Sequence, residues 1–457
     1  MTYSIIKKSQ LEGALRLDAE YYQPEFLELE KKIFGMKFRK IKEVTIIKSG
    51  VTPKDRNDSL NQGVILLKTN DIRNNVLNLK DDYYFISEEI DDCMKSTRLK
   101  SDDVLVSIVG ANLSVVGRIG FVPKEFPKAN ITQAMAFLRT KSSSFLQEYI
   151  FAFLISKLGR LQLDRLARPT GQYNINLEEL GRVKLPLVSL ASQKEISNII
   201  LESNELQEKS NQYYQEAEEM LLEELELNNF QKDDGLFSIV NLSEVQKANR
   251  IDAEYFQEKY NKLVEKISSK SYKKLGDLVS MRKGFEPGAE AYQEKGKSFI
   301  RVSNLTKLGI NDSNQQYLNE ELYSKLKKDF EPQVGEILLS KDATPGIAYT
   351  IKESNESIIS SGILRLKVKN KIEPEYITLV INSLVGQMQA ERDAGGSVIA
   401  HWKPEQIKNI LIPILSTETQ QKIAELVRQS HIARQKSKKL LEEAKRKVEE
   451  LIERGKL

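Results

Sequence analysis

The residues of this chain that could catalyse a reaction are few, and each has a simpler structural interpretation. Gly296-Lys297-Ser298 is similar to the end of a phosphate-binding loop, but that motif needs a glycine five residues before Gly296, where the chain has Ala291. The segment also precedes Phe299–Val302, whose residues predict a strand, whereas a phosphate-binding loop opens a helix. We therefore expect no nucleotide site here.

Two pairs of carboxylates could serve as an acid and a base. They are Asp18 with Glu20, and Asp252 with Glu254, and each pair follows an arginine at the same spacing. An ion pair or a helix cap beside that arginine is the simpler interpretation, because the whole arrangement occurs twice. We expect a structural role for both pairs.

Metal binding and methyl transfer are also disfavoured. The chain has two histidines, His401 and His431, neither with a ligand set around it, and a single cysteine, Cys93, which excludes an internal disulfide. It contains no Pro-Pro dipeptide, and so lacks the loop with which amino-methyltransferases hold a flipped base. We expect no metal site and no methylation by this chain alone.

The elements that must position any binding residues occur twice. The sequence RLDAEYYQPEF, which begins at Arg16, returns as RIDAEYFQEKY from Arg250, 234 residues later (250 minus 16). The register continues with small gaps through paired glycines and prolines, such as Gly50 with Gly284. We interpret the chain as a tandem duplication, and the shared turn residues predict that both halves follow one backbone path.

Each half begins with a mixed segment and ends with a long polar helix. Residues 40–187 and 274–414 contain short β-branched runs interrupted by Gly, Asn and Pro, which predict strands of an irregular sheet with helices interposed. We expect an α+β fold with two similar globular domains in tandem, each followed by a long α-helix. The predicted boundaries are 1–190 for the first domain, 191–229 for the first helix, 230–417 for the second domain and 418–457 for the second helix.

Matching heptads predict that the two long helices pair with each other. Both copies place Ile, Ser, Ser and Ala at position a, where small residues let two helix backbones approach closely. The chain connectivity favours an antiparallel coiled coil with pseudo-two-fold symmetry. Two separately solvated helices are the alternative, which we disfavour because helices this polar would bury too little surface. The predicted pairing residues are Ile196, Ile199, Leu206, Tyr213, Ala217 and Met220 in the first helix, and Ile423, Leu426, Ala433, Leu440, Ala444 and Val448 in the second.

In their order and double occurrence, these features resemble the specificity subunit of type I restriction–modification systems. The resemblance covers essentially all 457 residues. It rests on the R-[LI]-D-A-E-Y start of each repeat, the turn segments 48–53 and 282–287, the strand–loop segments 103–117 and 336–346, and a Pro…Gln…Ile pattern at the beginning of each long helix.

The resemblance implies a non-catalytic DNA-recognition subunit. In this family each globular part is a target-recognition domain that reads one half of a bipartite DNA sequence, and the paired helices set the gap between the halves. The implied partners are double-stranded DNA, two copies of an N6-adenine methyltransferase (modification) subunit and an ATP-dependent restriction subunit. No cofactor is expected on this chain, whereas the partner subunits are expected to use S-adenosylmethionine, ATP and magnesium.

Residues suited to reading DNA collect in loop-like segments of both domains. Arg and Lys can bind phosphate or guanine, Asn and Gln can bind adenine, and Ser and Thr are adaptable. At any one position, a residue that only shapes a solvated turn is the alternative interpretation. The candidates in the first domain are Lys68, Thr69, Asn70, Arg73, Asn112, Arg118, Thr132, Gln133, Arg165, Arg168, Gln172, Tyr173 and Asn174. Those in the second domain are Arg301, Ser303, Asn304, Lys307, Lys341, Thr344, Arg392, Ser397, His401, Trp402 and Lys403.

Segments 165–174 and 392–403 are the strongest of these candidates. Both combine basic residues, glycines that allow close backbone approach, and an aromatic residue, Tyr173 or Trp402. They occupy aligned positions in the two copies but differ in chemistry. Two domains that read different half-sites are expected to differ in this way.

Three functions are compatible with the sequence: a DNA-reading subunit, a DNA enzyme with degenerate motifs, and a coiled-coil scaffold that joins two protein-binding domains without DNA contact. The lack of a cofactor motif disfavours the enzyme, but a net charge of only +4 leaves the scaffold open. The chain has no apolar signal region at its start and no apolar run long enough to span a membrane. We expect a cytoplasmic bacterial or archaeal protein.

Overall fold

The structure is a computed structural model of the 457-residue chain. It describes residues 3–9, 11, 16–35, 37–54, 57, 59–73, 75, 77, 83–230, 237–311, 315–369, 371–394 and 400–453. The chain divides into two compact units. The first unit consists of Met1–Glu208 with Arg434–Leu457, and the second consists of Lys209–Ala433.

The first repeat contains twelve strands and seven α-helices among its described residues. The helices are α1 Pro24–Phe34, α2 Ile41–Val44, α3 Glu88–Cys93, α4 Gln147–Ile155, α5 Lys157–Leu166, α6 Leu177–Leu180 and α7 Leu190–Glu224. The strands are β1 Phe38–Lys40, β2 Thr45–Ser49, β3 Val64–Leu67, β4 Phe85–Ile86, β5 Val104–Ser107, β6 Val109–Gly110, β7 Ile119–Phe121, β8 Ala129–Ile131, β9 Met135–Thr140, β10 Arg168–Thr170, β11 Gln172–Asn174 and β12 Lys184–Pro186.

The second repeat follows nearly the same order. Its helices are α8 Leu242–Ala248, α9 Glu258–Ser268, α10 Leu275–Leu278, α11 Glu320–Phe330, α12 Pro374–Asn382, α13 Leu384–Asp393, α14 Pro404–Lys408 and α15 Thr417–Glu453. Its strands are β13 Tyr272–Lys274, β14 Val279–Lys283, β15 Lys297–Ile300, β16 Leu305–Thr306, β17 Gly309–Ile310, β18 Gln316–Leu318, β19 Ile337–Ser340, β20 Ala348–Thr350, β21 Ser357–Ile359, β22 Ile363–Val368 and β23 Leu411–Pro413.

The duplication seen in the sequence extends to the sheet topology. An antiparallel sheet has the order β2-β9-β5-β7 in the first repeat and β14-β22-β19-β20 in the second. A smaller mixed sheet has the order β4-β3-β8, repeated as β18-β15-β21, and in each copy the last two strands run parallel. The expected tandem α+β fold is therefore confirmed.

A buried helix anchors each domain to the strand that precedes its long helix. Tyr149 on α4 is fully buried, and its hydroxyl donates to the carbonyl of Pro186 at 2.8 Å. Tyr376 on α12 makes the same bond to Pro413, also at 2.8 Å. A buried hydroxyl must find a partner, so the repeated bond fixes the direction in which the chain leaves each domain.

The long helices α7 and α15 pack against each other in antiparallel register within each unit. In the first unit the hydroxyls of Ser203 and Ser437 lie 3.0 Å apart, and in the second those of Ser210 and Ser430 lie 3.1 Å apart. All four serines are buried. Their mutual hydrogen bonds satisfy polar groups that would otherwise be costly in this position, while their small size allows the close helix approach.

The position-a residues of both helices are buried, but the second buried stripe lies one residue after the predicted pairing positions. The predicted residues Ile199, Leu206, Tyr213, Met220, Leu426 and Leu440 are only half-buried. The residues that follow them, Ile200, Gln207, Tyr214, Leu221, Val427 and Leu441, are buried. The globular domains also pack against these helices, which requires a wider buried face than a two-helix seam. Ala433 and Val448 are buried.

This displacement can be tested with two adjacent leucines. Leu441→Ala removes a buried side chain of the first unit and should lower the free energy of unfolding by about 2–5 kcal/mol. Leu440→Ala is the matched control, because Leu440 is half-buried, and should cost about 1 kcal/mol. Denaturant unfolding of both variants measures the difference. Equal losses, or a larger loss for Leu440→Ala, would contradict this packing.

Among the described residues, no helix has both the length and the apolar character that crossing a membrane requires. Lys297 begins strand β15 directly after Gly296. A strand is present as predicted, but it spans Lys297–Ile300, so Lys297 and Ser298 lie within it and Val302 lies in a 3-10 helix. A phosphate-binding loop would need a helix at this point.

Candidate nucleic-acid interface

Five loops of the first unit meet where the parallel strands β3 and β8 end. This first loop cluster consists of residues 50–54, 68–73, 108–118, 131–134 and 168–174. The amide of Thr132 donates to Leu67 at 3.1 Å, that of Val51 to Ile131 at 3.1 Å, and that of Ile108 to Ala134 at 2.9 Å. Strand pairing of Tyr173 with Gly110 adds the fifth segment, the hairpin formed by β10 and β11. Segments far apart in sequence thus form one surface.

The second unit builds the same arrangement around the parallel strands β15 and β21. Its second loop cluster consists of residues 284–288, 301–304, 341–346, 360–362 and 400–403. The backbone bonds that join these loops are Ser360 N to Ile300 O at 2.8 Å, Phe285 N to Ile359 O at 2.9 Å, Lys341 N to Gly362 O at 2.9 Å, and Trp402 N to Lys341 O at 2.8 Å. The structure therefore brings together most of the segments that the sequence analysis selected.

One glycine in each cluster permits the close approach of two loops. A Cβ on Gly50 would lie 1.8 Å from the carbonyl oxygen of Ile131, and one on Gly284 would lie 2.2 Å from that of Ser360. Backbone oxygens cannot move away as the tip of a flexible side chain can. Each loop cluster therefore depends on the absence of a side chain at this position.

Two arginines give the first loop cluster a concentrated positive charge. Arg73 donates to the carbonyl of Asn70 at 3.3 Å, and Arg118 donates to that of Ser114 at 2.8 Å. Neither forms an ion pair with a described residue. Burial lowers the pKa of Arg118, and the nearby charges of Arg73 and Arg160 lower it further. Like charges held together in this way favour an anion such as a DNA phosphate.

The remaining candidates of the first loop cluster divide by exposure. Asn70, Gln133, Gln172 and Asn174 are exposed and can reach a ligand, as can Lys68, whose ammonium lies 4.0 Å from the ring centroid of Tyr84. Thr69 and Tyr173 are half-buried. Thr132 is buried, and the Asn112 side chain accepts hydrogen bonds from Ser114, so both shape the loops instead.

Arg165 and Arg392 hold the start of each repeat in place and do not face a loop cluster. Arg165 lies 4.1 Å from the ring centroid of Tyr21, donates to its carbonyl and pairs with Glu30 at 3.0 Å. Arg392 lies 4.5 Å from the ring of Tyr255 and donates to its carbonyl. Arg168 also has a partner within the protein, because it forms an ion pair with Glu179 at 2.5 Å.

The second loop cluster carries acidic groups beside its basic ones. Asp342 forms an ion pair with Lys341 and a 2.8 Å contact with Nδ1 of His401, which is exposed. Burial alone would raise the pKa of Asp342, but the hydrogen bonds to Lys341 and His401 lower it. The hydroxyl of Ser361 donates to Glu286 at 2.5 Å. A carboxylate on such a surface can accept a hydrogen bond from a base amino group.

The other candidates of the second unit are also divided. Ser303, Lys307, Thr344 and Lys403 are exposed, and Arg301 is half-buried. Asn304 is fully buried, where its amide donates to Asn311 at 2.9 Å and shapes the turn. Trp402 is buried in the core and cannot stack on a base. Ser397 lies outside the described residues.

Sequence reasoning missed two groups. Asp342 and Glu286 are not among the predicted contact residues, although Asp342 lies between two of them, Lys341 and Thr344. Arg160, which lies in a segment predicted to be helical, is not among them either; it pairs with Asp164 at 2.6 Å, and its charge contributes to the lowered pKa of Arg118. The alignment of the two repeats is a signal that indicates Glu286, because this residue lies two positions after Gly284, in the turn that corresponds to the turn at Gly50.

The carboxylate beside each starting arginine forms the ion pair that the sequence predicts. Arg16 and Asp18 make a two-pronged contact, with Nε to Oδ1 at 2.8 Å, and Arg250 repeats it with Asp252 at 2.8 Å. The Nη1 atom of the Arg16 guanidinium donates to the carbonyl of Leu166 at 3.0 Å. These arginine clamps fix the start of each repeat to the end of a helix.

The hydrogen bonds from Arg16 lower the pKa of Asp18, so the clamp should be sensitive to acid. A lowered pKa stabilises the fold above the unfolded-state value, and this contribution is lost as the pH falls through the folded-state value. Asp18→Asn should therefore reduce stability at neutral pH, with the difference from wild type vanishing in strong acid. Denaturant unfolding across this pH range measures it, with the exposed Glu20→Gln as control. A difference that persists in strong acid would contradict the ion pair as its cause.

Among the described residues, no group of three or more His, Cys, Asp or Glu side chains could hold a metal ion. A family model described as "Type I restriction modification DNA specificity domain" matches residues 35–219 and 268–446. These two regions cover most of the chain. The chain belongs to this family.

Membership of the type I specificity family explains the duplicated architecture, because each repeat matches the domain model separately. It also confirms the resemblance inferred from the sequence. Specificity subunits are the non-catalytic components of type I systems, so the expectation that the chain is not itself an enzyme is confirmed on the same basis.

Individual relatives are more distant. The specificity subunit of the type I restriction enzyme EcoBI from Escherichia coli is 29% identical over 139 residues, or 30% of this chain, and the match spans only 28% of that protein. The S subunit of a type I system from M. genitalium is 16% identical, with coverage of 92% and 96% of the two chains and a TM-score of 0.39. The HsdS subunit from Thermoanaerobacter tengcongensis is 13% identical, with coverage of 93% and 97% and a TM-score of 0.29.

Proposed function

We propose that this specificity subunit reads a bipartite DNA target, one half with each loop cluster, and directs N6-adenine methylation and restriction by partner subunits. The observation that carries the proposal is that the two loop clusters have the same backbone arrangement but different side chains. Equivalent loops meet at equivalent strand ends in both units. Among the described residues, the first cluster concentrates arginines, whereas the second carries exposed His401 beside Asp342. Such a difference suits two half-sites of different sequence.

Phosphate binding and base reading would be divided among the loop residues. Arg73 and Arg118 suit phosphate, because they are positively charged and form no ion pair with a described residue. Exposed amides such as Gln133 and Asn174 suit base edges, where a side-chain amide can pair with adenine. In the second unit, Asp342 and Glu286 suit the amino group of cytosine.

The proposed assembly contains two copies of an N6-adenine methyltransferase subunit and an ATP-dependent restriction subunit. Two similar repeats on one chain can each bind one copy of the same partner. S-adenosylmethionine, ATP and magnesium would be bound by those partners. The paired helices would set the number of unread base pairs between the half-sites.

The decisive experiment maps N6-methyladenine across the host genome with and without this gene. A split motif that disappears on deletion would give both half-sites. Exchange of residues 40–187 for those of another family member should then replace one half-site only. A change in both halves, or no change in methylation on deletion, would contradict the proposal.

Duplex binding in the presence of the methyltransferase subunit provides an independent test. Affinity should fall steeply between about 50 and 200 mM salt, because cations on the protein displace counterions from the DNA. An absent or salt-insensitive interaction would favour the scaffold function instead.

A further inference from the structure

Each repeat exposes three large apolar side chains at equivalent positions. In the first repeat, Tyr3, Ile5 and Leu17 are 81%, 88% and 86% exposed; in the second, Phe237, Ile239 and Ile251 are 81%, 91% and 90% exposed. Single exposed apolar residues are common in proteins and need no explanation. Three that recur at the same positions in two copies of a repeat indicate a shared contact surface.

The arginine clamps hold one of these side chains in solvent. Leu17 lies between Arg16 and Asp18, whose side chains bond each other while Arg16 also binds the carbonyl of Leu166. Arg16 is buried, whereas the next residue is almost fully exposed. Ile251 has the same position between Arg250 and Asp252. The backbone is therefore fixed at this point, and an apolar side chain presented in fixed geometry loses little entropy on binding.

The other two side chains lie in segments without assigned helix or strand. Tyr3 and Ile5 are two residues apart, as are Phe237 and Ile239. This spacing is that of an extended peptide that presents one face. Short extended segments with alternating apolar residues are bound by partner proteins in grooves or along the edge of a sheet.

The surroundings favour a protein occupant over DNA. An exposed glutamate, Glu20 or Glu254, lies three residues beyond the clamped apolar residue in each repeat. Neither it nor an apolar side chain attracts phosphate. The exposed Lys7 and Lys8 of the first repeat have no basic counterpart in the second, where Asn241 and Leu242 occupy these positions, so the feature that both repeats share is apolar. The occupant must also bind twice, because both repeats carry the same feature.

We propose that residues 3–9 with Leu17, and residues 237–243 with Ile251, are two equivalent docking segments, each bound by one methyltransferase subunit. This inference rests on the proposed function, which requires two copies of that partner. It assigns the contact to the start of each repeat, a place separate from both loop clusters.

The test counts methyltransferase subunits bound to purified full-length chain by native mass spectrometry. Wild type should bind two copies. Tyr3→Glu/Ile5→Glu/Leu17→Glu should bind one, Phe237→Glu/Ile239→Glu/Ile251→Glu should bind one, and the combined variant should bind none. Serine replacements at the same positions provide milder variants that should lower the affinity of the affected copy without adding charge.

Val334→Glu is the matched control, since Val334 is another exposed apolar residue outside these segments, and it should leave two copies bound. DNA binding and thermal unfolding, measured on every variant, verify that the fold is intact. Two copies retained by the folded triple variants would overturn this inference while leaving the proposed function in place. A wild-type chain that binds neither methyltransferase nor DNA would overturn the proposed function itself.

Discussion

Replacement of both Arg73 and Arg118 by alanine is expected to weaken DNA binding by about 100-fold at low salt. Each arginine would lose a hydrogen bond to a charged phosphate oxygen, worth about 1.5–3 kcal/mol, and 1.4 kcal/mol corresponds to a tenfold change. Because phosphate contacts release counterions, the slope of log affinity against log salt concentration should also fall by about 2. Fluorescence anisotropy of a labelled duplex, titrated at several salt concentrations, measures both quantities.

The control for this variant removes the same charge elsewhere. Arg182→Ala with Arg446→Ala changes two arginines outside the first loop cluster, of which Arg182 is half-buried and Arg446 is exposed, and they pair with Glu178 and Glu450. This double variant should leave affinity and salt slope close to wild type. If both double variants weaken binding equally, general charge and not the first loop cluster attracts DNA.

A methyl group added at Gly50 should disrupt the first unit. The Cβ of Gly50→Ala would lie 1.8 Å from the carbonyl oxygen of Ile131 and 2.6 Å from that of Thr132, so the loops must separate. We expect a loss of about 3 kcal/mol or more in the free energy of unfolding, a large part of the stability of an ordinary domain. Denaturant unfolding measures this loss, and genome methylation in the variant should disappear.

Gly171→Ala separates the effect of crowding from that of backbone strain. Gly171 has a φ of +79°, but a Cβ there would meet nothing within 4 Å. Its replacement should therefore cost only about 1–2 kcal/mol, the strain of a left-handed conformation. Similar losses for the two glycines would show that the close approach at Gly50 is not what holds the loops together.

The duplicated features could be predicted from the sequence because each one appears twice. The ion pair at Arg16, the turn at Gly50 and the serines of the long helices all have counterparts in the second repeat, and the structure gives each pair the same role. Repetition acts as an internal comparison. Residues that are the same in both repeats build the fold, whereas residues that differ between the repeats are candidates for contacts with the ligand.

Burial of individual side chains could not be predicted in the same way. Trp402 and Arg165 have the chemistry of DNA contacts, but one fills the core and the other stacks on Tyr21. Residue type indicates what a side chain can do, whereas long-range packing decides where it lies. The same reason explains why Leu441 rather than Leu440 is buried, since a domain surface beside the helix adds a contact that heptad spacing does not contain.

The serine contacts between the long helices restrict how such a protein can change during evolution. Ser203 meets Ser437, and Ser210 meets Ser430, so seven residues inserted between Ser203 and Ser210 alone would leave hydroxyls facing apolar side chains. A tolerated insertion must occur in both helices at once.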